Sequence, residues 1–122
     1  MARWRIGAVA IDCDDHRRLG AFYSELLGTE IVYETDSFCA LRVDGVWLLI
    51  KTVPNHARPT WPEGAHPQQE HLDFAVADLD SAEAAAIAAG ACKAAFQPAP
   101  GSWRVMIDPA GHPFCLNAQI PD

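Results

Sequence analysis

The order of structural landmarks in this 122-residue chain runs through twice, and that duplication restricts the fold more than any single motif. A helix-stopping glycine stands at Gly28 and again at Gly90, 62 residues later. A hairpin glycine stands at Gly45 and again at Gly111, 66 residues later. Between these landmarks the hydrophobic period switches the same way each time. In the first half, Ile6, Val9 and Ile11 mark a strand over Trp4 to Cys13. Asp14 and Asp15 are acidic residues suited to a helix start, and Leu19, Phe22, Tyr23, Leu26 and Leu27 then form one helical stripe. Strands follow over Glu30 to Glu34, Phe38 to Val43 and Val46 to Val53, divided by Thr35-Asp36-Ser37 and Asp44-Gly45. One module therefore reads β-α-β-β-β.

The second half gives the same order. A strand is expected over His71 to Ala77. A helix rich in alanine follows over Ser81 to Ala89, with Asp80 and Glu83 spaced as a capping box. Strands are expected over Ala91 to Gln97, Ser102 to Ile107 and Pro113 to Ala118. The modules span about 4–53 and 71–118. The connector, 54–70, carries Pro54, Pro59, Pro62, Pro67 and Gly64, with Trp61 in its middle. It is too long for a turn, and segments of this length often lie over a site. The halves share element order, not residue identity, so the duplication is architectural.

Half of the residues are hydrophobic, enough for one buried core in a single α+β domain. No apolar run reaches the ~18 residues that a membrane span needs. No secretory leader pattern opens the chain, so a cytoplasmic location is the expectation. The net charge of −7 argues against nucleic acid as a partner and is compatible with a cationic ligand. Cys13, Cys39, Cys92 and Cys115 are scattered without a C-x-x-C pair, and we read them as reduced, small buried hydrophobes. No Gly-rich phosphate loop or nucleophile elbow is present.

Asp73, set between Leu72 and Phe74 on a strand, is the most informative polar residue. Aspartate is depleted in strands and costly to bury, so a partner is expected, with His71 and Lys51 as candidates. A paired Asp73 could position a polar group of a substrate or could be a structural ion pair. Cys115 would be a nucleophile only with a lowered pKa. His16 and His112 are expected to face solvent, and His56 and His66 lack metal-ligand spacing.

Several segments resemble one family. Ile11-Asp12-Cys13-Asp14-Asp15, then Leu19-Gly20-Ala21-Phe22-Tyr23 and Leu26-Leu27-Gly28, are similar to the first strand and helix of the vicinal oxygen chelate superfamily. This is the glyoxalase, bleomycin-resistance and extradiol-dioxygenase group. His71-Leu72-Asp73-Phe74 with Asp78-Leu79-Asp80 and Gly90-Ala91 resembles its second module, and Asp108-Pro109-Ala110-Gly111-His112-Pro113-Phe114-Cys115-Leu116 its closing hairpin. Pro67-Gln68-Gln69-Glu70-His71 resembles a glyoxalase-like subgroup. The resemblance implies paired βαβββ modules whose curved mixed sheets enclose a cleft. It implies a homodimer, and for many members a divalent metal held by His and Glu.

Carried over one at a time, the family's metal-ligand positions fall on Ala8, near Lys51, on His71 and on Cys115. Alanine has no donor, and a protonated lysine has no lone pair. Two of the four positions survive, and a catalytic zinc normally takes three protein ligands. Strand parity offers Asp12 on the face of Ala8 and Asp73 on the face of His71. A metal, if present, would be held by His71 and Cys115 with Asp73 or Asp12.

Two functional expectations follow. In the first, no cofactor is expected, and the cleft binds a small organic molecule as bleomycin-resistance-type proteins do. Its contacts would come from Asp12, Trp47, Lys51, Trp61, His71, Asp73, Trp103 and Cys115, with Phe74 a further aromatic candidate. In the alternative, the chain is a lyase, isomerase or dioxygenase of glyoxalase type. It would use zinc, iron, nickel or manganese, with His71 or Asp73 moving a proton as catalytic residues.

Overall fold

The computed structural model describes residues 4–121, and its contacts divide the chain into two units, Met1–His56 and Ala57–Asp122. In the first unit, β1 (Ala8–Cys13) leads into α1 (His16–Leu27), followed by β2 (Ile31–Glu34), β3 (Phe38–Val43) and β4 (Val46–Thr52). These strands make a four-stranded sheet in the order β1-β4-β3-β2, with β1 parallel to β4 and the other pairs antiparallel. The second unit repeats this plan with β5 (Leu72–Ala75), α2 (Leu79–Ala89), β6 (Cys92–Lys93), β7 (Trp103–Ile107) and β8 (Pro113–Asn117). Its sheet runs β5-β8-β7-β6, again with one parallel pair, β5 with β8. The duplicated α+β module is present as the landmarks require. The connector is divided unevenly, with nearly all of it in the second unit.

Local chemistry explains most boundaries. Asp15 caps α1 by accepting from the Arg17 and Arg18 amides, and Gly28 ends it at φ 63°. Leu19, Phe22 and Tyr23 bury the predicted stripe. Gly20 lets that helix sit close to β3, because a Cβ there would meet the Cys39 sulfur at 2.5 Å. Cys13, Cys39, Leu41, Leu48 and Ile50 complete this core.

Three expectations are corrected in these elements. His16 is buried at 4 % exposure. Its Nδ1 meets the Thr52 hydroxyl at 2.8 Å and its Nε2 the Thr35 carbonyl at 2.9 Å, so the ring's polar atoms are paired inside the fold. The first strand starts at Ala8, leaving Trp4 and Ile6 exposed outside it. The capping box is absent. Asp78 is the N-cap of α2 and accepts from Ser81 N–H at 2.9 Å. Hydrogen bonds from Ser81, above all, hold the Asp78 carboxyl below its ordinary pKa. Asp80 and Glu83 instead bind Arg104 of β7, at 2.7 and 3.4 Å.

The expected strand over Ala91 to Gln97 shrinks to Cys92–Lys93. The Gln97 side chain takes over the edge of the ladder. Its amide donates to the carbonyls of Ala94 and Val105 at 2.9 and 2.8 Å, and its oxygen accepts from Val105 N–H at 2.9 Å. A carboxamide here does the work of a peptide group, so the backbone need not continue as strand.

The connector folds onto the second unit. Thr60 and His66 close it through Thr60 N–H to the His66 carbonyl and His66 N–H to the Thr60 hydroxyl. Gly64, at φ 138°, leaves room that a Cβ would contest with the Thr60 side chain. Arg58 donates to the Pro109 carbonyl at 2.9 Å, tying the connector to the hairpin turn. In that turn buried Asp108 accepts from the amides of Ala110 and His112, and His112 is half-buried there and not turned fully to solvent.

Candidate functional site

Along β5 the side chains alternate. Leu72, Phe74 and Val76 are half-buried, while His71, Asp73 and Ala75 lie on the more open face. The parallel register sets Asp73 beside Cys115 and Ala75 beside Asn117. Laterally paired residues share a face, so Asp73, Cys115 and Asn117 converge.

Three donors meet on the Asp73 carboxylate. His71 Nε2 stands 3.0 Å from Oδ1, and Asn117 Nδ2 donates to Oδ2 at 2.9 Å. The Cys115 thiol donates the third bond. Asn117 is itself fixed, because its Oδ1 accepts from Gln119 N–H at 2.8 Å. Burial first, then the Asp73 charge and its hydrogen bond, push the Cys115 thiol from 9.0 up to about 11. Cys115 is therefore protonated at neutral pH and is no nucleophile.

An apolar floor adjoins this polar edge. Cys115 packs with Val105 and Ala94, and Trp61, Trp103 and Ile107 lie against them. Trp103 is the register partner of Asn117, which places an indole beside the polar network. Trp61 comes from the connector and also meets Phe96, with ring centroids 5.7 Å apart. Phe74 does not belong to this face. It alternates away from Asp73 and packs edge-on against buried Phe114.

The remaining candidates belong to the first unit. Asp12 and Lys51 are register partners on β1 and β4, and Trp47 lies beside Ala8. The Arg42 guanidinium covers the Trp47 ring at 4.8 Å. The register also refines one assignment. Ala8 and His71 stand at equal distances before their helix caps, Asp15 and Asp78. By the same count Ala10 answers to Asp73. Ala10 pairs with Leu49 as Asp73 pairs with Cys115. Leu49 is thus the first-module counterpart of Cys115, and Lys51 answers to Asn117. The first module offers Ala8 and Leu49 where the second offers His71 and Cys115.

Asn117 is a site residue that the sequence reading passed over. Its signal was available: it lies two residues after Cys115 on the last strand, hence on the same face.

A divalent metal in this unit would draw on the donors His71, Asp73 and Cys115. The ligand atoms of His71, Asp73 and Cys115 lie within 4.8 Å of one another. An imidazole, a carboxylate and a thiolate together suit zinc or iron better than magnesium or manganese. The set meets the ligand count of a catalytic zinc only if Cys115 gives up a proton that Asp73 helps it keep.

Two modules of strand–helix–three strands, each closing into a four-stranded mixed sheet, define the class of fold. Residues 8–117 match the sequence profile of the glyoxalase-like domain. The chain belongs to that family. Comparison with curated protein sequences finds no match. Among solved structures, the fosfomycin resistance protein FosX from Listeria monocytogenes has a TM-score of 0.72 at 18% identity, with 100% of this chain and 95% of that one covered. FosX from Mesorhizobium loti gives 0.73 at 16% identity, covering 98% and 94%. Lactoylglutathione lyase from Agrobacterium tumefaciens gives 0.66 at 20% identity, covering 96% and 95%. At these identities the likeness is one of fold.

Proposed function

We propose that this chain binds a small organic molecule on the open face of the second sheet, without a divalent metal such as the manganese(II) in a crystallised complex of a FosX mutant. One observation carries the reading. Asp73 accepts from His71, Asn117 and Cys115, so three of its roughly four lone-pair sites are already engaged in this network. Ala8 and Leu49 add no donor from the first module. The Trp61, Trp103 and Val105 floor supplies apolar contact, and the network supplies orientation. A homodimer, a cytoplasmic location and, on the first unit by itself, ligand contacts from Asp12, Trp47 and Lys51 complete the proposal.

The test is a thermal-shift screen of small organic compounds with and without a chelator. Stabilising compounds should keep their effect in chelator. Compounds that stabilise only when metal is added would overturn the reading.

A second reading rests on a specific distance. The 3.0 Å between His71 Nε2 and Asp73 Oδ1 matches two ligands at a right angle around a six-coordinate cation ~2.1 Å from each, whereas tetrahedral zinc would set them ~3.4 Å apart. In this reading His71, Asp73 and Cys115 hold zinc, iron, nickel or manganese, which would supply Lewis-acid chemistry to a lyase, isomerase or dioxygenase. Elemental analysis of untagged protein decides between them. About one metal per chain favours this reading, and under ~0.1 counts against it.

A further inference from the structure

We infer that the Asp73 network locks His71 in a single tautomer and thereby selects a ligand that carries a hydrogen-bond donor. This rests on the metal-free reading above. A carboxylate can only accept, so the 3.0 Å contact requires the proton of neutral His71 to sit on Nε2. Nδ1 then keeps its lone pair and is an acceptor. Asp73 cannot turn away to release this choice, because Asn117 holds its other oxygen and is itself held by Gln119 N–H. The His71 side chain is 42% exposed, so a ligand can approach the ring.

The ligand class follows from the neighbours. An O–H or N–H group placed against Nδ1, on an apolar body resting on Trp61 and Trp103, satisfies both parts of the face. A molecule with only acceptors at that point meets a lone pair and is disfavoured. His71 is thus a specificity-determining residue. Asn117 and Asp73 are positioning residues that act through it.

The experiment has two readouts on the full chain. Long-range nitrogen–proton NMR correlations of the His71 ring report which nitrogen carries the hydrogen, with no ligand needed. Binding of phenol and of its methyl ether, anisole, is then measured in chelator by shifts of the Trp61 and Trp103 indole signals. The expected result is hydrogen on Nε2 and phenol bound roughly 2–10-fold more tightly than anisole, the range of one net hydrogen bond. In Asp73→Asn an amide N–H can point at Nε2, so the hydrogen should move to Nδ1 and the preference for phenol should vanish. His71→Phe should also remove the preference, and serves if the first variant fails to fold. Hydrogen on Nδ1 in the parent protein, or equal binding of the two probes, overturns the inference and leaves the binding reading intact. Failure of both probes to shift either indole overturns the two together.

Discussion

At the residue scale, this chain depends on side chains that stand in for backbone or for one another. Gln97 is the clearest case. Replacing it with leucine leaves Val105 N–H without its acceptor on a half-buried edge. The expected loss is about 2 kcal/mol of stability, read from urea unfolding. The buried thiols give a pH dependence. Burial raises Cys39 and Cys115 from 9.0 to about 11, and raises Cys13 as well. A raised folded-state value favours the neutral thiol in the native protein. That contribution is full below about pH 9 and is lost as pH rises through about 11. Urea midpoints should therefore fall from pH 8 to pH 11, and the fall should shrink in Cys39→Ala and Cys115→Ala relative to their own values at pH 8. Cys92 is exposed, against the expectation of a buried hydrophobe, and should be the first thiol alkylated by iodoacetamide.

At the element scale, what was legible in the sequence was what is decided locally. The α1 stripe and Gly28 stop need only neighbouring residues and were readable, while the acidic start was read as Asp14 and Asp15 together and the cap is Asp15 alone. The start of α2 was not, because Asp78, Asp80 and Ser81 offered competing caps. Arg104, 24 positions away, claimed Asp80. Asp78→Ala should then cost about 1 kcal/mol, as loss of an N-cap does. Asp80→Ala, which loses one ion pair from an exposed carboxylate, should cost less than ~1 kcal/mol. Thermal melts of the two variants check the order, and the reverse order would restore the capping box. His16 was misread for a similar reason, since Thr35 and Thr52 lie on strands far along the chain. Gly20 is a further long-range constraint. Gly20→Ala should destabilise by about 1–3 kcal/mol, because the Cys39 sulfur occupies the space its Cβ would need.

At the scale of the whole molecule, two modules share one plan but differ in the chemistry they carry. The plan was legible because glycine stops, hairpin turns and hydrophobic periods repeat in order. The candidate site was legible in part. Asp73 stood out as a charge on a strand that needed a partner, and of the two candidates, His71 and Lys51, the structure pairs it with His71. Asn117 could be placed on the face of Cys115 by parity, but its bond to Asp73 depended on the β5–β8 register, which no local pattern encodes. The same register separates Lys51 from the position of Cys115 and assigns Leu49 to it. One module thus keeps His71, Asp73, Cys115 and Asn117 where the other keeps Ala8, Ala10, Leu49 and Lys51. In the proposed reading the polar cluster serves an organic ligand and not a cation. NMR titration of untagged protein with zinc, following the His71 ring and the Asn117 side-chain amide, tests it most directly. His71 Nε2 should keep its hydrogen, and both signals should stay in place at equimolar zinc. Loss of the Nε2 hydrogen, with release of the Cys115 thiol proton at one zinc per chain, would contradict it.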